Sequence, residues 1–252
     1  MKKILITGNS GYIGSHLSKI LLQDDRYHLT GLDKVRPKLS LHSQYIMDIT
    51  QPFVIQPEFD TIIHLAAYVR VNESVENPNK YYYNNIIGTL NCLKGFKFNN
   101  FILASTGAAE SLGSPYAISK KVCEDIVAEH CQKNNCNFIN YRFYNVIGSD
   151  GFPPTNPDGL FYNLIRAQDT GVFKLYGDDW NTVDGSCVRD YVHVEEICHS
   201  LKLAIEKASN GVECLGHGVG HTVKEMAELF QKVNNCGFEV KYGPRRKGDL
   251  PS

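Results

Sequence analysis

The stretch Met1 to Gly14, MKKILITGNSGYIG, decides the fold. Ile4, Leu5 and Ile6 form an apolar run without polar alternation, broken by Thr7 and Gly8, which predicts a short strand buried on both faces. Gly8, Gly11 and Gly14 follow at intervals of three, and from Tyr12 onward Ile13, Leu17, Ile20 and Leu21 recur at helical spacing. The glycines therefore sit between a strand and a helix. There the first takes backbone angles closed to other residues, the second admits a ligand to the main chain, and the third lets the helix pack against the strand. The free amides at the helix start then face an anion such as a pyrophosphate.

Working outward, a second strand over Tyr27 to Leu32 ends at Asp33. A carboxylate at a strand end about twenty residues past such glycines accepts both ribose hydroxyls of an adenosine and repels a 2'-phosphate, favouring NAD over NADP; a simple turn aspartate is the alternative. A third strand, Gln44 to Ile46, leads to Asp48, whose carboxylate either meets the adenine amino group or caps a turn. A fourth, Thr61 to Leu65, runs into Ala66 and Ala67, small enough for a cofactor to pass close by, while His64 reads as a core histidine. Pro78 opens a helix reaching about Phe98, with Tyr83, Ile86, Ile87, Leu90 and Leu93 as its apolar face. The strand Asn100 to Ala104 carries Ser105 and Thr106 at its carboxyl end. A helix from Pro115 to about His130 follows, with Ile118, Val122, Ile126 and Val127 as its expected buried face, and then a strand from Asn137 to Phe143 leading to Asn145 and Gly148. Apolar strands alternating with helices predict an α/β fold, a Rossmann-like doubly wound parallel sheet.

Tyr116 and Lys120 carry the sharpest chemical signal. Four residues apart in a helix, they share one face, so the ammonium lies near the phenol and below a cofactor ribose. A free tyrosine titrates near ~10, too high for a base at neutral pH. A neighbouring cation and a positively charged nicotinamide both favour the phenolate and are expected to lower that value. Thr106, at a strand tip, supplies a hydroxyl to align a substrate alcohol.

Composition narrows the function classes. With 252 residues, 42% hydrophobic, the chain can bury a sizeable core, and a net charge of -1 gives no field for gripping nucleic acid or an anionic membrane. The apolar run behind Met1 is too short for a signal peptide or a membrane span, so a cytoplasmic protein is expected. Eight cysteines are scattered without a C-x-x-C pair, which points to cytosolic thiols and to no metal site.

The GxxGxxG turn, the segments NESVENPNKYYYNNIIGTLN and YRFYNVIG, and above all YGDDWNTVDGSCVRDYVHVEEI carry a resemblance running from Lys3 to Pro251. The chain resembles the extended short-chain dehydrogenase/reductases and, among them, the UDP-glucose 4-epimerases. Sugar-nucleotide dehydratases would show Asp-Glu after the strand-tip threonine, where this chain has Gly107 and Ala108. The resemblance implies that Gly8, Gly11, Tyr12, Ile13, Gly14, Asp33, Asp48, Ala66 and Ala67 hold NAD. It places Ile49 beside the adenine, Asn85 near the nicotinamide half and Lys120 on its ribose. It makes Tyr116 the base and Thr106 its partner, and assigns Asn145, Asn163, Arg189, Arg246 and Asp249 to the UDP moiety. Forked arginines suit a diphosphate, and an aspartate suits ribose hydroxyls.

The implied activity is epimerisation at carbon 4 of a UDP-hexose, UDP-galactose to UDP-glucose, through a transient 4-keto sugar. Another NAD-dependent sugar-nucleotide epimerase, dehydratase or reductase, or a slow NAD-binding regulator, are the alternatives. The implied organisation is an NAD-binding domain over 1–149, rejoined by 190–216, and a substrate-capping region over 150–189 and 217–252. A homodimer is expected through the helices near 78–98 and 115–130. Four departures accompany the resemblance. Val69, followed by Arg70, stands where a lysine is usual; the segment between Asp33 and Asp48 is short; so is that between Thr106 and Tyr116, leaving the cleft less covered. The chain also stops at Ser252, ahead of a position that walls the hexose pocket, so weak discrimination between UDP-galactose and UDP-N-acetylgalactosamine is expected.

Overall fold

A computed structural model describes residues 1–53, 57–207 and 209–246. The apolar run behind the amino terminus forms β1 (Lys2–Thr7), followed by α1 (Tyr12–Leu21), β2 (Tyr27–Asp33), β3 (Ser43–Ile46) and β4 (Glu58–His64). Two short helices, α2 (Val71–Glu76) and α3 (Pro78–Tyr81), lead through a wide π turn (Tyr82–Ile87) into α4 (Gly88–Gly95). Next come β5 (Lys97–Thr106), α5 (Pro115–Asn134), β6 (Asn137–Phe143) and β7 (Asn145–Ile147). The remainder comprises α6 (Leu160–Thr170), β8 (Val172–Tyr176), β9 (Val188–His193), α7 (Val194–Glu206), β10 (Asn210–Leu215), β11 (Gly220–Thr222), α8 (Val223–Asn234) and β12 (Glu239–Gly243).

Seven strands form one parallel sheet in the order β10-β6-β5-β4-β1-β2-β3, the doubly wound arrangement expected from the sequence. The order reverses beside β1, so the carboxyl ends of β1 and β4 border a crevice open to a ligand. One apolar layer joins Ile4, Ile6, Leu17, Leu21 and Leu29 to Ile197, Leu201 and Ile205 of α7. The opposite layer joins Leu5, Ile62, Phe101 and Leu103 to Cys92, Leu93, Cys123 and Val127 of α4 and α5. Beyond the sheet, Leu164, Phe173, Leu175, Ala227 and Phe230 build a separate small core from α6, β8 and α8. Among the described residues no helix is long and apolar enough to cross a membrane.

Two helical readings need correction. The face predicted for residues 78–98 slips because the π turn puts extra residues into a turn and breaks the 3.6-residue period. Tyr83 is consequently exposed, only Leu93 of the five apolar positions is buried, and the helix ends at Gly95 because β5 begins at Lys97. In α5, Ile118 points outward, and Val122 and Ile126 are only half-buried. The inward face instead carries Tyr116, Ser119, Lys120, Cys123, Glu124 and Val127, because this helix spends its buried side on polar groups.

Candidate active site

The glycine turn divides its labour among three positions. Gly8 has φ +75° and an added Cβ there would meet the Ala66 amide nitrogen at 2.7 Å; one at Gly14 would meet the Gly8 carbonyl at 2.2 Å. Gly11 is more open, its nearest neighbour being the same carbonyl at 3.2 Å. It is also the N-cap of α1 and brings no side chain to the helix start, so the first amides are left for an anion. These features fit the pyrophosphate of a dinucleotide. Tyr12, Ile13, Gly14 and Ala67 line the same cleft, whereas Ala66 lies just behind its wall, its amide held by the Thr7 hydroxyl at 3.3 Å.

Asp33 stands at the tip of β2, where its carboxylate accepts the Ser10 amide at 3.0 Å and the Val35 amide at 3.2 Å. Those bonds fix it beside the glycine turn. The neighbouring cation is occupied elsewhere: Lys34 donates to the Tyr68 hydroxyl at 3.1 Å and lies 4.8 Å from that ring. With a fixed carboxylate and a committed lysine, the site is expected to bind NAD at least about tenfold tighter than NADP. Titration calorimetry with each dinucleotide checks this, and equal affinities would mean that Asp33 does not face the ribose.

Three positions assigned to the cofactor have contacts within the chain. One oxygen of Asp48 accepts both the amide and the hydroxyl of Thr50 at 2.8 Å, the turn-capping alternative. Ile49 packs its side chain into the core beneath Gly88. Asn85 is 1% exposed and its amide is spent on the main chain of Tyr68 (2.9 and 3.1 Å) and on the Ser119 hydroxyl (2.9 Å), so it anchors a loop to α5. His64 is a satisfied core histidine, its ring nitrogens 2.8 Å from the Thr7 hydroxyl and 3.1 Å from that of Thr89. Burial, reinforced by Lys120, pulls it down to about 3 and keeps it neutral.

Thr106, Tyr116 and Lys120 converge on the cleft where β5 ends and α5 begins. Pro115 and the Ser114 hydroxyl, which accepts the Ala117 amide at 3.2 Å, start the helix at the position that sets Tyr116 opposite the strand tip. The Thr106 hydroxyl faces the phenol and favours its ionised form. Lys120 is 3% exposed and its ammonium has no hydrogen-bond partner among the described residues. A buried ammonium left unpaired fits a ribose diol supplied from outside. The electrostatics depart from the sequence reading: burial pushes the Tyr116 phenol up to about 12, with Thr106 opposing, and Lys120 is not among the causes. Burial also pulls the Lys120 ammonium down, against Cys123 and Glu124. The chain by itself therefore holds the phenol protonated.

The cleft, ≈ 740 Å³, continues to the segment around α6, β8 and β9, where Asn145, Asn163, Arg189 and Arg246 all line it. Asn145 donates to the Asp190 carbonyl at 3.2 Å, and Asn163 to those of Pro157 and Gly159 at 2.8 Å. Arg189 donates to the Val188 carbonyl at 2.7 Å. Arg246 donates to the Asp158 carbonyl at 3.0 Å with its guanidinium 5.1 Å from the Tyr176 ring. Asp249 lies outside the described residues. Arg70, next to Val69, donates to the carboxylate of Asp158, a residue of the cleft lining, at 3.0 Å.

Sequence reading missed the group beneath the catalytic helix. Glu124, one turn beyond Lys120, accepts from Arg142 at 2.9 and 2.8 Å and from Ser105 at 2.5 Å, and Arg142 reaches on to Glu110 at 2.7 Å. The i,i+4 relation of Lys120 to Glu124 was the available signal; Arg142, on a separate strand, had none.

The comparisons with known proteins bear on this geometry directly. The pattern of the NAD dependent epimerase/dehydratase family matches residues 4–216. The chain belongs to that family. Its cofactor is accordingly NAD, and it falls among the extended short-chain dehydrogenase/reductases. A UDP-glucose 4-epimerase of Halalkalibacterium halodurans is 31% identical, over 99% of this chain and 85% of that protein. The crystal structure of UDP-glucose 4-epimerase from Bifidobacterium longum in complex with NAD+ and UDP superposes with TM-score 0.84 at 25% identity, covering 98% of this chain and 88% of that one. The UDP-Glc/GlcNAc 4-epimerase of Campylobacter jejuni superposes with TM-score 0.77 at 29% identity, covering 100% and 89%.

Proposed function

We propose that this family member interconverts UDP-galactose and UDP-glucose by inverting carbon 4 of the hexose. The observation carrying the reading is that Thr106, Tyr116 and Lys120 line the same cleft as Arg189 and Arg246, so a proton acceptor and a diphosphate clamp border one groove. The relatives named as UDP-glucose 4-epimerases support it. NAD, held by the glycine turn, Asp33 and Lys120, would supply the hydride acceptor and donor for carbon 4. Tyr116, paired with Thr106, receives the proton of the 4-hydroxyl and hands it back. Lys120 orients the cofactor ribose and stabilises the phenolate once the proton has moved. Arg189 and Arg246 hold the diphosphate, and Asn145 and Asn163 position the nucleotide, leaving the hexose free to turn.

A dehydratase would need an acid-base pair next to Thr106. Glu110 does line the cleft, but its carboxylate pairs with the Arg142 guanidinium at 2.7 Å, which leaves the acid-base work to Tyr116. Incubating the purified protein with UDP-galactose is expected to yield UDP-glucose without net accumulation of NADH; release of a dehydrated keto sugar would overturn the proposal. The exposed side chains Tyr83 on the π turn and Ile118 on α5 support pairing of two copies through these helices. A sedimentation mass of one 28.3 kDa chain would refute that pairing.

A further inference from the structure

Besides the Lys120 ammonium, the cleft is lined by a second buried donor with nothing to bond among the described residues. Tyr191 is 6% exposed and lines the cleft, yet its hydroxyl has no hydrogen-bond partner among the described residues. A buried hydroxyl without a partner is a net cost to the folded protein, so its persistence needs a reason. Strand geometry shows which face the side chain takes. Side chains two apart on a strand share a face, and Arg189 and Tyr191 of β9 both line the cleft, with Cys187 just before the strand. Asp190, between them, points the other way and accepts the His217 and Gly218 amides at 3.0 and 2.8 Å. On the neighbouring strand Asn145 stands in register with Tyr191 and also lines the cleft. Tyr191 thus shares a cleft-lining strand face with Arg189 and stands beside Asn145 across the pair. Burial pushes the phenol up despite Arg189, so at neutral pH it remains a donor.

We infer that Tyr191 is a further substrate-binding residue, donating its hydroxyl proton to a phosphate oxygen of the nucleotide sugar held by Arg189. The inference rests on the nucleotide-sugar reading above and adds to it the residue that completes the diphosphate clamp. A phenol reaching an anionic oxygen makes a charge-assisted bond that is absent from the free protein, so its removal affects binding and not folding.

Tyr191→Phe separates the possibilities, because it deletes one oxygen and keeps the ring. In titration calorimetry with UDP alone, the NAD-loaded variant is expected to bind roughly tenfold to a hundredfold more weakly than wild type. Its thermal midpoint and NAD content are expected to be unchanged or, for the midpoint, raised, since an unsatisfied group has gone. Wild-type affinity for UDP in the variant would overturn the inference. So would a clear fall in the midpoint, which would reveal a structural partner, or loss of NAD, which would assign the hydroxyl to the cofactor. Failure of the wild-type protein to bind UDP would overturn the nucleotide-sugar reading itself and the inference with it.

Discussion

Tyr116→Phe is expected to abolish epimerisation while leaving NAD bound. The substitution removes the proton acceptor and keeps the ring, whose edge-on contact with Tyr81 at 6.4 Å has no need of the hydroxyl. General-base catalysis contributes on the order of 10²–10⁴-fold, so turnover should fall by at least that much. The free chain holds the phenol up to about 12, which means that the lowering needed for base catalysis comes with the bound cofactor and substrate. Turnover and NAD content measured on one sample check this. A rate within about tenfold of wild type would remove Tyr116 from the base role. Lys120→Ala should by contrast lose both rate and NAD, because that ammonium serves the phenolate and the ribose together.

Glu124→Ala is expected to bring the largest loss of stability. Glu124 is 2% exposed and Arg142 keeps only 12% of its side chain exposed, so the substitution leaves a largely buried guanidinium with only the exposed Glu110 carboxylate and the Ser105 hydroxyl without its acceptor. Removing one partner of a buried pair costs roughly 3–5 kcal/mol. At about 2–4 °C per kcal/mol for a chain of this size, the thermal midpoint should fall on the order of 6–20 °C. The double variant Glu124→Leu with Arg142→Met should recover part of that fall, since paired burial of two apolar groups avoids the unpaired charge. A single variant that melts with wild type would show that solvent reaches Arg142 without penalty. The same network holds Ser105 next to Thr106 and ties down Glu110, so residual activity in the variant would also report on the cleft wall.

What was legible in the sequence had a local cause. The turn at Gly8, Gly11 and Gly14 could be read because Gly8 and Gly14 are required by backbone geometry within a few residues, and Tyr116 with Lys120 because four-residue spacing in a helix puts both on one buried face. The parallel sheet followed from apolar runs too short and too dense for any other element. Family position says where Ile49 and Asn85 lie along the chain and not which way their side chains turn, so the burial of both could not be read from it. The helical face around Tyr83 was misread because a π turn has no strong local signature, and the outward Ile118 because an apolar stripe looks the same whether it meets a core or a partner. Arg142 and Tyr191 went unread because their meaning depends on neighbours far along the chain.

The seventh strand has a consequence for the order in which the molecule can be made. β6 ends at Phe143, but its outer neighbour is β10, closing only at Leu215, and α7, ending just before it, supplies the apolar cover for α1. Even Lys2 waits for this return, bonding the Ile205 carbonyl at 3.2 Å and the Glu206 carboxylate at 2.7 Å. On a ribosome adding about 5–20 residues per second, β6 therefore spends roughly 4–14 s as an open edge before its partner emerges. During that interval the nascent sheet displays unpaired backbone donors and acceptors, and the bare face of α1, to every other chain in reach. Its safety in that window rests on how fast the intervening segment is translated.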